Sequence, residues 1–428
     1  GTGSKYGTAS NPWGNVGSLE NKGIEFTINT VNVENKNFSW RSNIVFSLNR
    51  NKVVSLDTET GTLPQTLQIG SETATVTNTV VGQPIGQFWG YKVIGRFDKP
   101  EDFWYKDANG NVKQVALPEG AKIATSPTSG GVFIGDYIYE DINGDGVIDN
   151  NDQTFIGNPE PKFTFGFGNT FSYKGFDLSV QFSGSYGNKV MNYGRRFLEI
   201  TGSTSNQLTT VMDYARLAKY DENGPEDYRN YYVVNTNTTM PRLSTESGVN
   251  KNNRVSDAYV EDGSYIRLQN VSLSYTLPRK WLSHIFLNNV KLYCNVQNVF
   301  TITKYNGFDP EVGSMRGNAL LNGVDYSRYP SPRIYTFGVN VQVKSINFKR
   351  KENMKTNILK YTLAIAGILS FSSCAKDFLE QKNTYQISQD NFFDNDEAVS
   401  QAVMPLYSYV WYDFNDKFYY GMGDGRAN

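Results

Sequence analysis

Six residues between Asp141 and Asp152 have the spacing of a calcium loop. Asp141, Asn143, Asp145, Val147, Asp149 and Asp152 fit D-x-N-x-D-G-x-x-D-x-x-D, in which five side-chain oxygens and the Val147 carbonyl can wrap a hard cation. Gly146 sits where such a loop must turn sharply. Ca2+ is therefore the expected cofactor, with the task of stiffening the long loop that carries the motif. Two features depart from the helix-flanked pattern: Asp152 stands in for a bidentate Glu, and no helix is predicted on either side. The alternative is an Asx-rich turn that holds no ion.

Other chemistry is sparse. Asp309-Pro310-Glu311, with Tyr305 and Phe308 nearby, superficially offers paired carboxylates and a sugar platform. Carboxylates this close in sequence on a Pro-containing loop are expected to be turn and packing residues instead. Gly421 opens GMGDGR, which lacks the Lys and the strand-to-helix setting of a phosphate loop. One histidine, His284, and two cysteines, Cys294 and Cys374, leave no material for a His-based triad, a zinc cluster or a disulfide framework. No enzymatic activity is expected.

Cys374 has a different context. MKTNILKYTLAIAGILSFSSC from Met354 places Lys355 and Lys360 before an apolar stretch, Tyr361 to Phe371, then small residues before the thiol. This is the order of a bacterial lipoprotein signal peptide, in which a positive end stays cytoplasmic and the cysteine accepts lipid after cleavage. Such a signal deep inside a chain suggests two reading frames joined through KRKEN, a genuine fusion being the alternative.

The elements around these motifs are strands. Among the 428 residues, 39% are hydrophobic, 14% are aromatic and 39 are glycine, so aromatics and glycines do the work of aliphatics. Lys and Arg number 41 against 42 Asp and Glu, which gives no basic footprint for nucleic acid. No apolar run reaches the roughly 18 residues of a spanning helix, whereas a membrane barrel needs strands of only about 9 to 11.

From Lys162, KFTFGFGNTFSYKGFDLSVQFSGSYGN puts Phe163, Phe165, Phe167, Phe171 and Tyr173 on one face and Thr, Ser and Gly on the other. That period-two pattern resumes after a Lys174-Gly175 turn, predicting a tight hairpin. It recurs at GIEFTINT, FSWRSNIVFSLN, VKLYCNVQNVF and RIYTFGVNVQV. In YIRLQNVSLSYTL the phase slips between Leu268 and Val271, which predicts a β-bulge near Gln269 or Asn270. Short connections at Glu34 to Asn37, Lys174-Gly175 and Pro278 to Asn289 alternate with long ones, and the polar faces carry hydroxyls and amides rather than charges. Both features predict an all-β fold: the C-terminal strands of a large antiparallel transmembrane β-barrel around a wet lumen. Loop aromatics, including Phe88, Trp89, Tyr91, Phe103, Trp104, Tyr231 and Tyr232, either pack the loops or stack on sugars above the lumen.

Five segments go beyond a generic barrel: VGQPIGQFWGYKVIGRF from Val81, DINGDGVIDNNDQTFIGNPEPKFTFGF from Asp141, SYIRLQNVSLSYTLPRKWL from Ser264, LYCNVQNVFTITKYNGFDPEVG from Leu292 and YPSPRIYTFGVNVQV from Tyr329. In wording and order they resemble the C-terminal third of SusC/RagA-type TonB-dependent transporters. That resemblance implies a cell outer membrane location, a plugged barrel of roughly 22 strands, and import of nutrient oligosaccharides or peptides. It further implies contact with TonB through an N-terminal region absent from this sequence, and surrounding outer-membrane lipid. Phe348 would then be the terminal aromatic, although it lies out of phase with Tyr335 and Phe337. After Cys374, CAKDFLEQKNTYQISQDNFFDNDEAVSQAVMPLYSYVW resembles the start of a SusD-family lipoprotein, a short α-helical fragment of the transporter's expected partner. The expected organisation is thus 1–348 barrel wall, 349–353 junction, 354–374 signal peptide and 375–428 SusD-like fragment. Alternative readings are a SusD-like glycan-binding surface lipoprotein or a soluble calcium-binding β protein. Substrate-contacting residues cannot be named from the sequence.

Overall fold

The structure, a computed structural model, describes residues 17–69, 72–200, 206–244, 252–283 and 287–344. Phe348, the signal peptide with Cys374 and the SusD-like segment lie outside the described residues.

Seven strands form one sheet: β1 (Gly17–Glu34), β2 (Phe38–Leu56), β3 (Phe163–Tyr173), β4 (Phe176–Tyr186), β5 (Tyr265–Thr276), β6 (Leu287–Thr303) and β7 (Ile334–Val343). Their order in the sheet is their order in the chain. In such a meander each inner strand is paired on both sides with the strand that precedes and the strand that follows it. The predicted slip is a bulge: Gln181 pairs with Asn270 and Phe182 with Leu268, leaving Gln269 as the extra residue. Without it, Ile266 and Leu268 would point to the polar face.

Cross-strand register aligns like with like. Phe26 pairs with Phe46 and Phe46 with Phe165, while Ile28, Ile44 and Phe167 form the next row. On the other side Leu178 faces Leu273 and Val180 faces Val271. These rows make one apolar face. Yet Ile24, Phe26, Phe167 and Leu273 are 59%, 53%, 39% and 47% exposed. An apolar patch of this extent needs a partner that is not water. β3 and β4 are 11 residues each. At about 3.3 Å per residue and a tilt near 40°, that length yields an apolar band of about 25 Å, the height of an outer-membrane barrel's lipid-facing belt.

Both ends of the band carry aromatics. Trp40 stacks on Phe171, with ring centroids 5.8 Å apart, and Phe176 lies 4.3 Å from Tyr275 near the short turns. At the long-loop end Phe163 stacks between Phe46 and Tyr186. The β3–β4 turn places Lys174 and Gly175 at φ +47 and +91, the left-handed pair of a type I′ hairpin.

The long connections are not irregular chain. Residues 57–162 hold several short strands, including Thr62–Ile69, Glu72–Val80 and Gln87–Gly90, which pair with Thr154–Gly157 in a second sheet. Lys189–Asn192 lies between Val260–Asp262 and Val324–Asp325, tying the second and third long loops together. Among the described residues three hydrophobic cores form within this cap. One centres on Phe97, Phe103, Phe133 and Ile134, a second on Val76, Phe88, Met191 and Tyr193, and a smaller third on Tyr91, Tyr139 and Ile148.

Contacts divide the chain into a larger unit holding the residues up to Thr276 together with Leu292–Val339, and a smaller one that includes Leu277–Lys291 and the strand end from Asn340. In the smaller unit a single helical turn, Arg279–Leu282, buries Leu282, and the Leu277 amide donates to the Val290 carbonyl at 2.9 Å.

Candidate functional site

Two surfaces can act on a solute: the polar face of the wall and the loop cap. Period-two alternation builds the first from Thr, Ser, Asn and Gln opposite the aromatic rows. Its side chains bond across strands. Asn43 Nδ2 donates to Asn29 Oδ1 at 2.6 Å, Ser47 Oγ to Glu25 Oε1 at 3.1 Å, and Ser172 Oγ to Asp177 Oδ1 at 2.7 Å. Asn29, Arg41, Asn43, Thr170, Ser179 and Gln181 line a depression of about 420 Å³. Its floor is open at Gly168, where an added Cβ would meet nothing nearer than Asn43 at 3.9 Å. Arg41 is the cation here, loosely paired with Glu34 at 3.3 Å. These groups can hydrogen-bond a hydrated, polar solute, and no arrangement among them activates a nucleophile.

In the cap, arginines brace the loops from inside. Asp136, fully buried, accepts from Arg242 Nε at 2.7 Å, Asn252 Nδ2 at 3.0 Å and the Phe133 amide at 2.7 Å. Arg195 bridges Glu199 and Glu261, and Arg196 reaches Glu72. Buried charges survive only when paired and hydrogen-bonded in this way. Sequence reading did not single out these arginines. Arg267 leaves a visible trace: a lone cation on a strand face that otherwise carries Tyr265, Asn270, Ser272 and Ser274.

Arg267 explains Asp309-Pro310-Glu311. Extending from β5, its guanidinium holds Asp309 and Glu311, and its Nε donates to Thr301 Oγ1 at 3.0 Å. Burial opposes the Asp309 charge, but the Glu311 and Ser331 amides and Arg267 outweigh it and hold the carboxyl below its ordinary value. The two carboxylates are packing residues, as expected. Tyr305 is likewise buried and donates to Asp325. Burial and the facing Asp325 carboxylate raise its pKa, so the phenol keeps its proton. Phe308 is exposed.

The loop aromatics divide. Phe88, Tyr91, Phe103 and Tyr231 are buried in the cap, so none of them is a platform for sugar, while Trp104 stays exposed. Tyr232 is half-buried and lies 4.7 Å from the Tyr220 ring.

At the predicted calcium loop, Asp141 accepts from the Gly144 and Gly146 amides at 2.8 Å, and Asp145 from the Val147 amide at 2.9 Å. Asn143 Oδ1 accepts from the Asp145 amide, and Asp149 caps Asn150–Asp152. Asp152 is fully buried and takes amides from Ile142 at 2.9 Å and Asp149 at 2.8 Å. Val147 and Ile148 pair in parallel with Leu117 and Pro118, which fixes the end of the loop. Among the described residues no group of three His, Cys, Asp or Glu stands ready to hold a metal. The motif residues are brought together as an Asx-turn stack, with Asp152 beneath it.

No family model matches the chain. Curated relatives do. TonB-dependent receptor P3 of Formosa agariphila is 33% identical over 352 residues, covering 79% of this chain and 30% of the relative. TonB-dependent receptor SusC of Bacteroides thetaiotaomicron is 24% identical, covering 77% and 27%. The chain therefore spans about a third of the length of these relatives. A SusD-like protein of Bacteroides ovatus matches 75 residues at 33% identity, covering 18% of this chain and 13% of the relative. Among solved structures, the RagAB peptide transporter superposes with a TM-score of 0.52 over 76% of this chain and 30% of the other, at 22% identity; this likeness shows the fold. The relatives that match most of the chain are thus named as TonB-dependent receptors, and the solved neighbour as a transporter.

Proposed function

Because the homologues covering most of this chain are TonB-dependent receptors of SusC type, we propose that residues 1–348 form the C-terminal wall and loop cap of an outer-membrane importer. Its cargo is an oligosaccharide or peptide nutrient, energy comes through TonB, and a SusD-like lipoprotein works with it. One observation carries this reading: a seven-stranded meander whose aromatic rows are exposed while its opposite face is mostly hydroxyl and amide, with few charges. Such a surface is stable between lipid and a wet lumen, not in bulk water.

The test is made on the whole receptor in its native membrane. Expected are extraction only with detergent, heat-modifiable gel mobility, and uptake that stops when TonB is deleted. A monomer soluble without detergent overturns the wall; uptake untouched by TonB deletion overturns the energy source. Growth of a receptor-deleted strain on oligosaccharides or on peptides as sole nutrient separates the two cargo classes.

Two narrower readings accompany it. Ca2+ binds at Asp141, Asn143, Asp145, Val147, Asp149 and Asp152 and stiffens the cap; in support, a carboxylate oxygen that accepts one amide keeps a lone pair for a cation. Calcium should slow proteolysis within the 57–162 loop in the native receptor and not in D145A; equal cleavage with calcium or chelator removes the ion. Cys374 becomes lipidated where translation starts at Met354. Palmitate labelling abolished by C374S supports that, and labelling that persists in C374S refutes it.

A further inference from the structure

We infer that the short-turn rim of the wall is a docking surface for anionic phospholipid headgroups, with Lys36 and Lys174 on the phosphate and Trp40 and Tyr173 on the glycerol region. The inference rests on the reading of the wall as membrane-spanning.

Charge is the first observation. The two neighbouring short connections, 35–37 and 174–175, contain Lys36 and Lys174 and no Asp or Glu. Anionic lipid attracts such lysines, each strengthening association about fivefold. Lys36 and Lys174 belong to neighbouring turns, since the Lys174 amide donates to the Asn37 carbonyl at 3.3 Å. The first turn is fixed by Asn35, whose Oδ1 accepts from the Asn37 and Phe38 amides at 3.1 and 2.9 Å. Nearby carboxylates are engaged elsewhere: Glu34 with Arg41, and Asp177 with the Ser172 and Ser274 hydroxyls on the polar face.

Lys174 is also conformationally expensive. It sits at φ +47, where Asn, Asp or Gly is the favoured choice for a type I′ turn. Its ammonium lies 5.1 Å from the centre of the Tyr173 ring, at the aromatic edge of the apolar band. The contact with Tyr173 keeps the ammonium at the rim, beside the ring that marks the edge of the band.

The third observation is how Trp40 is held on the apolar face. Trp40 Nε1 and Ser42 Oγ both donate to Asn169 Oδ1 at 2.8 Å, and Asn32 Nδ2 donates to Ser42 Oγ at 2.6 Å. Asn169 itself lies mid-strand, paired with Val180, so it anchors the indole from the interior of the band, while Trp40, opposite Phe171, is two residues from the strand end. Lysines and then aromatics thus follow one another in the order in which a phospholipid supplies phosphate and glycerol.

The test uses the full receptor with its own N-terminal part, reconstituted in phosphatidylcholine nanodiscs holding a minor fraction of brominated lipid. Trp40 quenching is taken as the difference between wild type and W40F. Brominated phosphatidylglycerol should quench several-fold more than brominated phosphatidylcholine at equal fraction, and high salt should shrink the excess. K36Q/K174N should abolish the preference while leaving heat-modifiable mobility intact, because Asn suits the left-handed position; a merely structural Lys174 would leave lipid preference unmoved in this variant. Equal quenching by both lipids overturns the inference and leaves the wall standing. No quenching by either lipid shows that Trp40 does not face the bilayer, and the wall reading falls with it.

Discussion

The wall and the cap use the same aromatic residues in opposite ways. In the cap Phe88, Phe103 and Phe133 are completely buried, whereas on the wall Phe26 is 53% and Phe337 75% exposed. Residue type does not decide burial; the partner does. The cap makes its own interior by folding three long connections together, while the wall presents its apolar rows to an outside solvent. Removing a ring should therefore have unequal effects. Phe103→Ala leaves a cavity between Phe97, 4.1 Å away, and Tyr228, and should cost the cap about 3–5 kcal/mol. On the proposed membrane-spanning reading, Phe167→Ala exposes a site that lipid can fill, so the loss should be well under half of that. Hydrogen exchange of cap and wall amides in the folded receptor measures both. Equal losses would show that the wall is an interior like any other.

Charge should reverse the order of sensitivity. Val180 lies mid-strand on the apolar face, opposite Val271 and Asn169. Val180→Arg should destabilise the wall by about 2–4 kcal/mol, the depth-dependent cost of a cation in the band. An Arg placed instead at Gln181, on the polar face, should cost almost nothing. Denaturant titration in detergent, followed by loss of the heat-modifiable form, checks the pair. In the cap the matching liability is an unpaired polar group. Asp152→Ala leaves the Ile142 and Asp149 amides without acceptors, which should cost about 1–3 kcal/mol and appear as faster proteolysis near residue 150.

The same contrast explains what was legible in the sequence. All seven wall strands, and the bulge at Gln269, could be found from the apolar alternation alone, because a single buried or lipid-facing side forces period two on every strand. The cap could not. Its strands are short, several of three or four residues, and its partners come from distant loops, as when Lys189–Asn192 pairs with Val324–Asp325. Phe88 and Phe103 give no periodic signal that would separate them from Trp104, although of the three only Trp104 is exposed. The polar depression was equally hidden. Asn29, Arg41, Thr170 and Gln181 come from four strands, and only the register brings them together.

The smallest expected effect concerns the clamp between β5 and the third long loop. Asp309 ionises more readily in the folded protein than in the unfolded chain because the Glu311 and Ser331 amides and Arg267 outweigh the cost of burial. A carboxyl whose folded pKa is depressed stabilises above its unfolded value, about 3.9, and that contribution is lost as pH falls through the folded value. Between neutral pH and about 5, the clamp should thus be insensitive to acid; below about 4 it should loosen. Asp257 works the other way. Burial raises its pKa against the Val93 amide and Lys92, so its charge disfavours folding at neutral pH and its protonation on acidification is favourable. The two effects partly cancel in any global melt, so a local readout is required. Exchange of the Ser331 amide, which donates to Asp309 at 3.2 Å, should accelerate below pH 4 beyond the intrinsic chemical rate, and Asp309→Asn should remove the pH dependence. Protection that is the same at pH 3 and pH 6 would mean that the carboxylate charge does not hold the loop to the wall.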